Sequence, residues 1–204
     1  DQGLVLPPKL APTQVVIVPI YKTEEEKANL DAYVDQLTSA LKQLDIRVKY
    51  DDRDTQRPGF KFAEWELKGV PLRVAIGARD IQNGTVELAR RDTQTKDTVE
   101  QAGLGARIVA LLDEIQDNIF TKALNFRDSH ITEVNSYEEF KDVLENKGGF
   151  VSCHWDGTPE TEKRVKEETK ATSRCIPLDF KEEEGVCIFT GKPSKGRVLF
   201  AKAY

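Results

Sequence analysis

A strand–helix–strand unit near the amino terminus restricts the fold of this chain more than any other feature. Gln14–Ile20 is a continuous apolar run rich in β-branched residues, which is typical of a parallel strand buried on both faces of a sheet. Thr23, with Glu26 three residues later, forms a capping box, and leucines and a valine at helical spacing follow it. Ile46–Tyr50 alternates apolar and basic residues as a second strand. Because such a unit closes as a right-handed parallel crossover, we predict the α/β class.

The segments that follow extend this unit to a mixed, mostly parallel sheet flanked by helices. We predict a helix at 60–68 that ends at Gly69, strands at 72–76 and 85–89 with a turn at Asn83-Gly84 before the second, and a long helix at 103–122. The proline-rich residues 1–12 are predicted as an extended lead-in, so the first domain covers 13–122.

After Lys122 the pattern changes, and we predict a smaller α/β domain at 123–204. Its predicted elements are helices at 137–144 and 158–169, and strands at 149–155, 185–190 and 197–203.

Composition favours a cytoplasmic protein. Hydrophobic residues make up 39% and charged residues 32% of the chain, and no apolar run approaches the roughly 18 residues that a membrane span needs. Cys153, Cys175 and Cys187 are an odd number at wide spacing, which argues against a disulfide framework and for reduced thiols.

Motifs for catalysis are weak, and we predict no catalytic residue in this chain. Gly103-Leu104-Gly105 lacks the third glycine of a dinucleotide-binding loop, and no phosphate-binding loop, nucleophile elbow or His-Glu-x-x-His motif occurs. Cys153 and His154 are adjacent on a predicted strand, so their side chains point to opposite faces and cannot act as a nucleophile and its base.

The strongest candidate for a binding site is residues 57–73, where aromatic and charged residues interleave. The formal net charge is −5, yet basic residues outnumber acidic ones between Arg47 and Lys96. Aromatic rings stack unpaired bases, a carboxylate can accept from guanine N1 and N2, and arginine can donate to guanine O6 and N7. Phe62 and Glu66 share one helix face. The alternative on composition alone is an ordinary amphipathic helix.

The motifs Pro58-Gly59-Phe60-Lys61-Phe62, Gly69-Val70-Pro71-Leu72-Arg73, Ile76-Gly77-Ala78-Arg79-Asp80 and Arg90-Arg91-Asp92 before Lys96 occur in this order. Together they resemble the anticodon-binding domain of prolyl-tRNA synthetases. Gly3-Leu4-Val5-Leu6-Pro7-Pro8 is similar to the end of that family's third class II motif. The ending Phe200-Ala201-Lys202-Ala203-Tyr204 is similar to that of archaeal and eukaryotic-type members.

The resemblance implies a parent enzyme, generally a homodimer, that uses ATP and magnesium to activate proline and attach it to tRNA(Pro). Its active site would lie upstream, so this fragment would be inactive alone. The resemblance also implies that Phe62 stacks an anticodon base, and that Glu66 and Arg73 read the guanines at the second and third anticodon positions. Arg79, Arg91 and Lys96 would hold the RNA nearby, and Tyr204 would dock toward the catalytic domain of the same enzyme.

This chain departs from the family pattern in two places, one in each predicted domain. Ala75 and Ala78 stand where the family often has Glu and Pro. Related enzymes place four cysteines around a structural zinc, whereas here Cys175 and Cys187 match two of those positions and Thr161 and Thr190 stand at the other two. Threonine hydroxyls are poor zinc ligands, so we expect neither zinc nor another cofactor in this fragment.

Three other functions stay open from the sequence. The chain could be the anticodon domain of another class II synthetase, such as a glycyl, threonyl or histidyl enzyme, which would read different anticodon letters. It could be a stand-alone protein-interaction module that inherited the fold, which would show no anticodon dependence. A small-molecule enzyme is disfavoured by the weak catalytic motifs.

Overall fold

A computed structural model describes residues 3–178 and 182–202, which form two compact units that divide after Lys122. Both units combine helices with mixed sheets, so the predicted α/β class is confirmed. Tyr204 lies outside the described residues.

The first unit is built around a five-stranded sheet of order β2-β1-β3-β4-β5. Its elements are β1 (Val15–Ile20), α1 (Glu24–Gln43), β2 (Val48–Tyr50), α2 (Pro58–Leu67), β3 (Leu72–Gly77), α3 (Ala78–Asn83), β4 (Thr85–Arg90), β5 (Lys96–Glu100) and α4 (Leu104–Ser129). Strands β2, β1 and β3 pair in parallel, and β3, β4 and β5 pair antiparallel. The predicted β1–α1–β2 crossover is present.

The two faces of this sheet pack against different helices. Val15, Ile17, Leu72 and Val74 belong to one core with apolar residues of α1 and α4, such as Leu41 and Ile108. Val16, Val18 and Val70 form a second cluster, against which Phe62 and Trp65 of α2 pack. The alternating direction of strand side chains therefore brings α2 to the opposite face from α1 and α4.

Local signals explain where the helices begin. The Thr23 side chain accepts a hydrogen bond from the Glu26 backbone N–H, as the capping box predicts. Helix α2 begins at Pro58, two residues before the predicted start, because proline is well suited to the first helical turn.

Three features of the first unit differ from the predictions. Residues 78–83 form the short helix α3, and Gly84 ends it with φ +66°, so Asn83-Gly84 is a helix end and not a simple turn. Strand β5 was not predicted because only Val99 of its residues is buried. Helix α4 continues seven residues past the predicted end at Lys122, to Ser129.

The second unit is built around a four-stranded sheet of order β6-β7-β11-β8, with a separate β9-β10 pair. Its elements are β6 (Ile131–Glu133), α5 (Tyr137–Asp142) followed by a π-helical turn (Val143–Lys147), β7 (Phe150–His154), α6 (Pro159–Thr169), β8 (Ala171–Cys175), β9 (Gly185–Val186), β10 (Pro193–Ser194) and β11 (Arg197–Lys202). Phe140, Phe189 and Phe200 meet edge to face in its core.

Strands β6 and β8 were not predicted, and the strand predicted at 185–190 is limited to Gly185–Val186. Across 3–178 and 182–202, no helix is both long and apolar enough to cross a bilayer.

Candidate nucleic-acid interface

A cavity of about 400 Å³ lies between α2 and the antiparallel half of the first sheet. It is lined by Val16, Phe62, Trp65, Glu66, Val70, Arg73, Ala89, Arg90, Arg91, Gln94, Thr95 and Lys96. Five of the predicted tRNA-contacting residues, Phe62, Glu66, Arg73, Arg91 and Lys96, therefore surround one space.

Strand pairing explains how residues distant in sequence reach the same cavity. Val16 pairs with Arg73, Arg73 with Ala89, and Ala89 with Lys96, so these four residues form one row across four strands. Residues directly opposite one another point to the same face. The small Ala89 side chain separates the two cations, and at about 4.8 Å per strand their Cα atoms lie roughly 10 Å apart.

Arg73 is a buried cation at the floor of this cavity. Its guanidinium lies 3.6 Å from the centroid of the Phe62 ring, which is a cation–π contact, and only 4% of the residue is exposed. Its Nη1 donates to Glu87 Oε1 at 3.2 Å. Within the described part of the chain, its buried Nε and Nη2 have no hydrogen-bond partner. A buried cation with two unpaired donors is a strong recognition feature, since unpaired buried donors are rare.

Helix α2 is held in place through Asp51, which directly follows β2. Trp65 Nε1 donates to Asp51 Oδ2 at 2.8 Å, and the buried Lys61 Nζ donates to the Asp51 backbone oxygen at 2.9 Å. Arg53 donates to both carboxylate oxygens of Asp51. Trp65 and Lys61 are thus bonded to the end of β2, and Trp65 also lines the cavity beside Phe62 and Glu66 of the same helix.

These contacts and burial shift the pKa values of both Asp51 and Lys61. Burial alone would raise the pKa of Asp51, but the hydrogen bonds from Arg53 and Trp65 and the charge of Lys61 outweigh it, and the pKa falls to about 2. Burial lowers the pKa of Lys61, partly offset by the attraction of Asp51. Asp51 is consequently an ionised acceptor at neutral pH.

Arg91 connects two chain segments at the cavity, the one around Leu4 and the one around Glu66. Its Nε donates to the backbone oxygens of Leu4, at 2.9 Å, and Glu66, at 3.1 Å, and the residue is only 7% exposed. These contacts join the segment before β1 to the end of α2, where Glu66 lies. Glu66 and Lys96, in contrast, are exposed at the cavity mouth.

Arg79 is the predicted residue that the fold does not bring to this cavity. It is the second residue of α3, which follows the end of β3 opposite Leu72, and it lines a different cavity with Tyr21, Lys22 and Gly77. Since β3 is six residues long, the two cavities lie near the two ends of a strand about 20 Å in length.

Cys153 and His154 have separate structural environments. Cys153 belongs to the core of the second unit, and burial raises the pKa of its thiol to about 12. The His154 ring hydrogen-bonds the Ser194 hydroxyl at 3.1 Å. The two side chains do not form a nucleophile–base pair.

Two of the four residues matched above to zinc positions, Thr161 and Thr190, hydrogen-bond a carboxylate. Thr161 and Thr190 hydroxyls both donate to Asp156 Oδ2, at 3.0 and 2.9 Å, while the Thr158 hydroxyl donates to Oδ1 at 2.9 Å. Cys175 is exposed and Cys187 is buried. In the ranges 3–178 and 182–202, no three His, Cys, Asp or Glu side chains form a group able to hold a metal. A four-thiolate zinc site does not fit this set of donors.

Asp51 and Glu87 contact the cavity residues Trp65 and Arg73, and neither was predicted from the sequence. Asp51 directly follows a strand, which is a usual position for a polar contact, but its partners on α2 depend on tertiary packing. Glu87 alternates with the buried Val86 and Leu88, which indicated only that it points away from the main core.

The family comparisons match both units. A family model described as "Anticodon binding domain" matches residues 14–111, and one described as "Prolyl-tRNA synthetase, C-terminal" matches residues 137–204. The fold, the cavity and the first match define an anticodon-binding domain.

Curated relatives agree over the entire chain. A proline–tRNA ligase of Flavobacterium johnsoniae is 62% identical over 204 residues, and one of Flavobacterium psychrophilum is 64% identical over the same length. One of Porphyromonas gingivalis is 59% identical. The chain belongs to the prolyl-tRNA synthetase family. Each match covers 100% of this chain but only 41–42% of the relative.

Proposed function

We propose that the first unit recognises the anticodon of tRNA(Pro) for a parent proline–tRNA ligase. The observation that carries this proposal is Arg73, a buried cation whose Nε and Nη2 have no partner among the described residues and which lies at the floor of the cavity. A guanine offers two acceptors, O6 and N7, that match a pair of arginine donors. The family match over residues 14–111 supports the same proposal.

The other cavity residues have complementary roles. Phe62 provides an aromatic surface for a base, and the exposed Glu66 carboxylate can accept from guanine N1–H and N2–H. Lys96, at the mouth, attracts the phosphate backbone without reading sequence. Arg91 holds the backbone of Glu66 in place through its hydrogen bond. Arg79, which lines a separate cavity near the other end of β3, contacts the RNA there.

We assign residues 13–122 to the anticodon-binding domain and 123–204 to the C-terminal domain of the synthetase, with 1–12 as the lead-in from its catalytic domain. The parent would be a cytoplasmic homodimer that uses ATP and magnesium, and the fragment alone would not activate proline. The relatives' names and the 42% share of their length covered by this chain support this assignment. Three free cysteines agree with a reducing compartment.

Tyr204 would dock toward the catalytic domain of the parent enzyme. The test is its deletion from the complete enzyme, followed by a measurement of proline activation. Unchanged activation would contradict docking.

Anticodon recognition is tested by binding of the chain to tRNA(Pro) and to the same tRNA with its two anticodon guanines replaced. We expect replacement to weaken binding at least tenfold, which is about 1.4 kcal/mol, and Glu66→Gln or Arg73→Ala to remove the difference. Glu25→Gln, an exposed carboxylate on α1, is the matched control and should retain it. Equal binding to both tRNAs would contradict the proposal and favour a protein-interaction module.

A further inference from the structure

Glu87 is the acidic residue that contacts the floor of the candidate interface. It lies on β4 directly opposite Ala75 of β3 and, across the other edge of β4, opposite Thr98 of β5. This row is two residues along the strands from the row that contains Arg73 and Ala89, so Glu87 and Arg73 share the same sheet face. The Glu87 side chain is 39% exposed, and its Oε1 lies 3.2 Å from Arg73 Nη1.

This ion pair uses one donor of Arg73 and leaves a specific edge of the guanidinium available. Nη1 is engaged by Glu87, whereas Nε and Nη2, the two donors on the remaining edge, have no partner in the described ranges. The Phe62 ring, 3.6 Å away, restrains the plane of the same group. Two neighbouring donors on one edge can form the bidentate contact that matches guanine O6 and N7.

We infer that Glu87 is a positioning residue that sets guanine specificity by orienting Arg73. This inference rests on the proposed anticodon function. A single ion pair through Nη1 directs the Nε–Nη2 edge toward an incoming base, and adenine, which has an amino group in place of O6, cannot accept both hydrogen bonds.

The negative charge of Glu87 makes it possible to distinguish an effect on base discrimination from an effect on total tRNA affinity. A partly exposed carboxylate on a surface that receives RNA repels phosphates. Neutralising Glu87 should therefore leave total tRNA affinity equal or slightly higher while it lowers discrimination between bases. A residue that only stabilised the fold would reduce the affinity for all tRNAs alike.

The test compares binding of tRNA(Pro) with binding of two variants in which one anticodon guanine at a time is replaced by adenine. We expect Glu87→Gln to reduce discrimination at one of these positions at least fivefold, with tRNA(Pro) affinity within threefold of the original chain. Glu100→Gln removes one negative charge from the exposed Glu100 of β5 and should preserve discrimination.

A second variant tests whether the position of the carboxylate matters. Glu87→Ala combined with Ala75→Glu moves the carboxylate to the directly opposite residue, still beside Arg73, and should restore discrimination that Glu87→Ala alone loses. Retained discrimination in Glu87→Gln, or an equal loss of affinity for all three tRNAs, would overturn the inference. Absence of discrimination in the original chain would instead contradict the proposed function itself.

Discussion

Asp51 accepts the indole N–H of Trp65 at 2.8 Å, and this bond joins the end of β2 to the middle of α2. Because α2 also carries Phe62 and Glu66, the orientation of both candidate RNA contacts depends on a carboxylate that does not itself line the cavity. The interface is therefore supported by a buried polar group behind the residues that line it.

We predict that Asp51→Asn destabilises the first unit by roughly 2 kcal/mol at pH 7, because the ionised carboxylate is favoured by a pKa near 2 in the folded chain. The folded-state pKa is depressed, so this stabilisation is present above the unfolded value near pH 4 and is lost as the pH falls toward 2. Urea unfolding of both proteins between pH 7 and pH 2.5 measures it. Asp52→Asn, at an exposed neighbouring position, should have little effect, and a pH-independent difference for Asp51→Asn would contradict the prediction.

Phe62→Leu should weaken binding of tRNA(Pro) by about 1–3 kcal/mol, since loss of the ring removes base stacking. The same change removes the cation–π contact with Arg73, so the losses of binding free energy in Phe62→Leu and Arg73→Ala should be less than additive. Phe60→Leu on the same helix is the matched control, because Phe60 is 55% exposed and does not line the cavity. Equal effects of the two leucine variants would argue against stacking by Phe62.

Asp156→Ala should destabilise the second unit by about 2 kcal/mol, since it removes the acceptor for the Thr158, Thr161 and Thr190 hydroxyls. Burial acts to raise the pKa of Asp156, but the hydrogen bonds from Thr158, Thr190 and Thr161 together hold it below its ordinary value. The stabilisation should therefore decline as the pH falls below about 4.

Thermal unfolding of the original chain and Asp156→Ala, above and below pH 4, measures both parts of this prediction, and a parallel series contains a chelator. Glu160→Ala, an exposed change in the first turn of α6, is the control. We expect the chelator to leave the unfolding temperature unchanged, because hydroxyl–carboxylate bonds occupy the positions that would otherwise hold a metal. A lower unfolding temperature in the chelator would show that a metal supports this unit.

Gly185→Ala should be more damaging than Gly191→Ala, although only Gly191 has a positive φ, +70°. A Cβ at residue 185 would overlap the His154 ring, whereas a Cβ at residue 191 would meet no atom within 4 Å. We expect about 1 kcal/mol for the left-handed alanine at 191 and a larger loss at 185, where a buried ring must move. Chemical unfolding of both variants measures the difference, and the reverse order would contradict the described approach of Gly185 to His154.

Local patterns predicted the elements whose formation depends mainly on neighbouring residues. The apolar run before Ile20 and the cap at Thr23 predict the first crossover, and these elements are present. Strand β5 is polar except for Val99, and α3 is only six residues long, so neither has a strong periodic signal. Pairing with β4 supplies the hydrogen bonds that stabilise β5, and this pairing is a tertiary property.

The candidate site divides in the same way. The sequence by itself determined that Phe62 and Glu66 share one face of a helix, because their four-residue spacing is a local property. Only the tertiary structure decided that Arg73 and Lys96 share one row, that Arg79 lies at a different cavity, and that Glu87 engages Arg73. The physical reason is strand register. Alternation along one strand predicts which of its residues share a face, but only the pairing between strands decides which residues of different strands become neighbours.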